Sequence, residues 1–191
     1  MADMPEYMTG LGYKAGRLGP DEIVAEANKA GQKFGVDEIV RFFYRPYLYL
    51  NNKKIANAKF DTVKVEQTIA DVLTNFEGIA LAVPTSRLSS QQANPLVAQV
   101  RRNHHVTRSG DIYIIQEPYW FLFDKGPVRA MHGSPWRFDT HVPIIFAGPA
   151  IDVKRVHRRV HPVDVAPTIA AFLGMTPPGS AQGSPLEEVV E

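Results

Sequence analysis

The sequence predicts an α/β fold whose sheet is covered by helices on both faces. Segments with apolar residues at helical spacing alternate with short apolar runs, as in layered α/β domains. Those runs are short and apolar enough to be buried from two sides. No internal repeat or low-complexity tract interrupts the pattern, and 191 residues can bury the core of a single domain spanning 1–191.

Residues 1–19 are rich in Gly and Met and read as loop. Gly19-Pro20-Asp21-Glu22 reads as a helix start, with proline in the first turn and acids at the positive end of the dipole. That helix should run to about Phe34 and stop at Gly35. Ile39 to Tyr44 and Tyr47 to Leu50 read as strands parted by Pro46, with Asn51 to Lys54 as a turn. Asp61 caps the clearest helix, in which Val65, Ile69, Val72, Leu73 and Phe76 form one apolar face. Phe60 and Val65 occupy the positions of a hydrophobic staple across that cap. Gly78 to Val83 follows as a buried strand, Pro95 to Arg102 as a helix, and Asp111 to Glu117 as a strand ended by Pro118. Val142 to Ala147 reads as a strand closed by Gly148-Pro149. A last helix starts at Asp164, tolerates Pro167 in its first turn and ends at Gly174.

Hydrophobic residues at 45% and charged ones at 21% describe a globular chain, not a disordered one. A net charge of +1 gives no bulk pull toward nucleic acid or a membrane surface. The basic stretch Lys154 to Arg159 reads as a solvated surface. The absence of cysteine excludes disulfides and thiolate metal sites. No run of about 18 apolar residues is present to cross a membrane. The first eight residues lack the basic-then-apolar order of a secretory leader.

The richest stretch chemically runs from His132 to Pro149, with a His132-Gly133 turn, Asp139 and His141 ahead of an apolar segment. Two imidazoles and a carboxylate there suit a borderline metal such as zinc. The plainer reading has Asp139 orienting the loop and His141 packing under it. Asp164 reads as a helix cap, His157 and His161 as surface residues, and His104-His105 as a polar helix end. Arg108 to Asp111 reads as a turn entering a strand. A glycine-rich phosphate loop, a Gly-x-Ser-x-Gly elbow and a His-Glu-x-x-His helix are all missing.

Taken together, HGSPWRFDTHVPIIFAGP from His132 to Pro149, VDVAPTIAAFLG from Val163 to Gly174 and GSPLEE from Gly183 to Glu188 resemble the alkaline phosphatase superfamily. The branch closest in appearance holds type I phosphodiesterases, nucleotide pyrophosphatases and monomeric alkaline phosphatases. RSGDIYII from Arg108 to Ile115, Pro118-Tyr-Trp and PEYM from Pro5 to Met8 extend the resemblance over nearly the whole chain.

The resemblance implies a three-layer, alkaline-phosphatase-like sheet, incomplete here. It implies a two-zinc hydrolase that cleaves phosphate esters through a phospho-Thr or phospho-Ser intermediate. One zinc would activate the nucleophile and the other would stabilise the leaving oxygen. His132 corresponds to the family's last zinc ligand, with His141 as the runner-up. The nucleophile and the other ligands have no counterpart, so no catalytic residue is assigned. The chain then reads as the C-terminal part of such an enzyme, whose parent is periplasmic or extracellular. Made alone, it should be inactive and prone to aggregate. The rival readings are a non-catalytic binding module derived from the fold and a metal carrier using His132, Asp139 and His141.

Overall fold

Ile112 to Gln116 is the strand on which the fold is built, because Ile112, Tyr113, Ile114 and Ile115 are strong β-formers and all four are buried. The computed structural model describes residues 5–90, 94–123 and 131–190. The reading of the N-terminus as no leader therefore falls partly outside the described residues. Two compact units are present, Met1–His141 and Val142–Glu191.

The first unit runs α1 (Pro5–Gly10), β1 (Gly16–Arg17), α2 (Pro20–Gly31), β2 (Val40–Tyr44), β3 (Tyr47–Leu50), α3 (Asn52–Asn57) and α4 (Thr62–Thr74). It continues with β4 (Ile79–Pro84), α5 (Pro95–Asn103), β5 (Ile112–Gln116), β6 (Trp120–Phe121) and α6 (Arg137–Thr140). Four strands pair in the order β2-β3-β5-β4, each pair antiparallel. Alternation along β5 divides two cores. Ile112 and Ile114 join the apolar faces of α2 and α4, including Ile23, Ala27, Val65, Ile69 and Leu73. Tyr113 and Ile115 join Val97 and Val100 of α5. The sheet is thus covered on both faces, as the alternation of elements predicts.

Local signals explain most boundaries. Asp61 accepts a hydrogen bond from the Val63 amide at 2.9 Å and caps α4. Asn94 does the same for α5 through the Leu96 amide at 2.9 Å. Gly35 ends the turn after α2 at a φ of 62°, the left-handed conformation that glycine adopts without penalty. Gly110 has a different role: a Cβ there would come within 2.6 Å of the Leu48 carbonyl oxygen, so only glycine lets β3 and the entry to β5 approach.

Several expectations need correction. Residues 1–19 are not all loop: Pro5 preorganises the first turn of α1, and β1 pairs in parallel with β6. Asn51 to Lys54 is no simple turn, because Asn51 accepts from the Lys54 amide at 3.2 Å and caps α3. Phe60 stands edge-on to Phe34, their ring centroids 5.1 Å apart.

The second unit holds α7 (Val165–Phe172) and α8 (Glu187–Val190). Val142 to Ala147 is not a strand here. It pairs with nothing among the described residues, and Ile145 is 81% exposed. An apolar run becomes a strand only with a neighbour to pair with. Asp164 stands at the start of α7 but does not cap it as expected: its side chain makes no hydrogen bond to the first amides of α7 and instead reaches back to the turn before the helix. Its carboxylate accepts from the His161 amide at 2.8 Å and the Ser184 amide at 3.0 Å, and those bonds hold its pKa below the usual range. In the basic stretch, Arg158 forms two 2.6 Å hydrogen bonds to Glu188 and lowers that carboxyl's pKa to about 2.

Candidate functional site

His132 lies in the segment between β6 and α6, and fixed points stand on either side of it. On one side, Arg45 donates to the Met131 sulfur at 3.0 Å and lies 4.8 Å above the Phe123 ring. On the other, Asp139 Oδ2 accepts from the Ser134 amide at 2.9 Å and the Ser134 hydroxyl at 2.5 Å. The Trp136 indole donates to the Gln116 carbonyl at 2.8 Å, which ties this segment to the end of β5. Gly133 takes a φ of 102°, where a side chain would strain the turn. The His132 imidazole itself is exposed.

Asp139 therefore orients the loop, as its plainer reading expected, and its Oδ2 is engaged by Ser134. His141 does not pack under the loop. Its amide closes α6 on the Arg137 carbonyl at 2.9 Å, and the residue is exposed. Among the described residues, no group of three or more His, Asp or Glu side chains is arranged to hold a metal ion. A catalytic zinc takes about three protein ligands and an open position. The described residues do not complete such a site.

The remaining candidates take structural places. Asp111 accepts from the Leu50 amide at 2.6 Å and from the Asn52 side chain at 3.0 Å, so it fastens β3 and α3 to the entry of β5. Ser109 accepts from the His105 amide at 3.0 Å, and the Arg108 and Ser109 amides donate to the His105 carbonyl, so the turn spans His105 to Ser109 and lies mostly ahead of the expected Arg108 to Asp111. His104 ends α5 with its Nδ1 buried and no hydrogen-bond partner among the described residues, and burial lowers its pKa.

Two features escaped the sequence reading. Glu66 is buried on α4, where it accepts from the Ser86 amide at 3.2 Å and the Ser86 hydroxyl at 2.6 Å. Burial raises its carboxyl pKa despite those two bonds. A signal existed: Glu66 precedes Ile69, Ala70 and Leu73 by three, four and seven positions, so it shares their face.

The second feature is a cleft of ≈ 380 Å³ whose lining includes Tyr13, Tyr119, Trp120, Glu77 and Glu117. Tyr119 occupies the third position of the Glu117–Trp120 turn, closed by the Trp120 amide on the Glu117 carbonyl at 3.1 Å. Its φ is 70°, at a position where a turn with Pro118 second favours glycine. Opposite, Gly78 must be glycine, since a Cβ there would meet the Trp120 ring at 2.3 Å.

No family model matches the chain. A calcium-transporting ATPase of Myroides odoratus is 28% identical over 192 residues, covering 100% of this chain and 35% of its own length. Alkaline phosphatase PafA of Elizabethkingia meningoseptica is 28% identical over 165 residues, covering 85% of this chain and 30% of its own. The crystal structure of wild-type alkaline phosphatase PafA superposes with a TM-score of 0.86 at 25% identity, over 100% of this chain and 36% of that one. The chain spans about a third of the length of the curated relatives it matches.

Proposed function

Since the chain belongs to the alkaline phosphatase superfamily, we propose that it is the C-terminal part of a zinc-dependent phosphate-ester hydrolase and has no hydrolase activity by itself. One observation carries the reading. The whole chain follows the PafA fold while accounting for 36% of that chain, and among its described residues it gathers no three-ligand metal group. In this proposal His132 is the one zinc ligand the chain contributes, with His141 as the alternative. The loop anchors at Met131, Ser134 and Trp136 would hold that imidazole where ligands from elsewhere could join it. Zinc, when bound, would activate a nucleophile and stabilise the leaving oxygen.

The names of the relatives differ in substrate but share a chemistry. An ATPase and a phosphatase both transfer a phosphoryl group to water. The assay should therefore offer both ATP and an aryl phosphate monoester, with an aryl diester to test the phosphodiesterase branch. We expect no turnover by the 191-residue chain with or without added zinc. Zinc-dependent turnover that disappears in His132→Ala would sink the proposal.

The origin of the chain is tested by reading the DNA upstream of the Met1 codon. An in-frame Asp-His-Gly close by, with a Thr or Ser nucleophile further up, is the expected result. A stop codon with no such frame would favour the second reading, a non-catalytic binding module. Support for that alternative comes from the first unit, which fills a core on each face of its sheet.

A further inference from the structure

We propose that the cleft beside the Glu117–Trp120 turn is a binding site for a small organic ammonium ion. The proposal does not rest on the hydrolase reading. Tyr13 and Tyr119 meet edge to face, their centroids 5.6 Å apart and their planes at 61°, so they form two angled walls. Phe138, which does not line the cleft, stacks on Tyr119 at 6.0 Å and 14°. Trp120 is a further lining residue, its ring packed against Gly78 and Gly16. Ring faces attract cations through their quadrupole, and several rings together favour a methylated ammonium over a hydrated metal ion.

Charge argues the same way. Lys14 lies 3.4 Å from Glu77, so the one cationic side chain among the lining residues is engaged. Glu117 has no ion pair or side-chain hydrogen bond among the described residues. A cleft with aromatic walls and an uncompensated carboxylate repels phosphate and attracts an organic cation.

The backbone supplies a third, independent observation. A tyrosine at φ 70° is held where glycine would sit without strain. Strained residues persist where the side chain has a use that outweighs the strain.

The test titrates the full chain with choline and with its uncharged isostere 3,3-dimethylbutan-1-ol, following tryptophan fluorescence. Choline should bind about 5- to 30-fold more tightly than the isostere, the span of a cation–π contribution. Glu117→Gln should weaken choline and leave the isostere unchanged. Tyr119→Gly should lose choline binding while the melting temperature holds or rises, because glycine relieves the turn. A purely structural Tyr119 would instead lower the melting temperature through lost stacking. Equal binding of the two probes, binding of neither, or preferential binding of methyl glucoside would each overturn the proposal.

Discussion

Glu66 and Asp164 are two carboxylates that their surroundings push in opposite directions. Burial beside Ile69 and Leu73 raises the Glu66 pKa, while amide hydrogen bonds lower that of Asp164. The consequences for stability are opposite too. Between the ordinary value of 4.5 and its raised value, folded Glu66 keeps a proton that the unfolded chain has lost. Its contribution therefore falls as pH rises through that window. Asp164 contributes stability above the ordinary 3.8 and loses it as pH falls below. Glu66→Gln keeps an acceptor for Ser86 and removes the charge. We expect the variant to match the wild type near pH 3.5 and to exceed it in urea midpoint at pH 7. Equal midpoints at both pH values would show that the buried carboxylate carries no such penalty. Glu66 could be placed on the apolar face from spacing, but Ser86, twenty residues away, is a partner no local pattern announces.

At the level of elements, caps and pairing partners decide what the sequence reveals. The α4 helix was legible because cap, apolar stripe and length agree. Asp61→Ala should cost about 1 kcal/mol, while Asp61→Asn should cost a few tenths at most, as read from urea unfolding. A full loss for both variants would mean that the charge near the helix dipole, not the hydrogen bond, does the capping. By contrast, α3 was hidden because Asn51, Asn52, Lys53 and Lys54 have turn composition, and their helix is fixed by the Asn51 cap. The β1–β6 pair was hidden for another reason. Two-residue strands have no periodicity to read, and theirs depends on a long-range register of Gly16 with Trp120. The candidate site was legible in part: the His132 loop and the Asp139 orienting role are local. The Tyr13–Tyr119 cleft joins residues over a hundred positions apart and was not.

For the molecule as a whole, the two units bury their apolar residues to different degrees. In the first unit the large aliphatic residues of the central strands fill two cores. In the second, Ile169 and Phe172 on α7 and Leu173 at its C-terminal cap recur at helical spacing, yet all three are exposed, as are Met175 and Ile145. A helix normally turns such a stripe toward a core. Left in water, contiguous apolar surface favours self-association. That is the physical content of the expectation that the chain aggregates when made alone. The prediction can be separated from exposure in general. Val106 is 86% exposed but sits among His105, Thr107 and Arg108, so it is an isolated apolar side chain of the ordinary kind. Phe172→Lys with Leu173→Lys should shift the chain from aggregate to monomer in sedimentation velocity, whereas Val106→Lys should leave the distribution unchanged. Equal improvement by both would assign the aggregation to low net charge. No improvement from the double variant would clear the α7 stripe and direct attention to the unpaired Val142 to Ala147 segment.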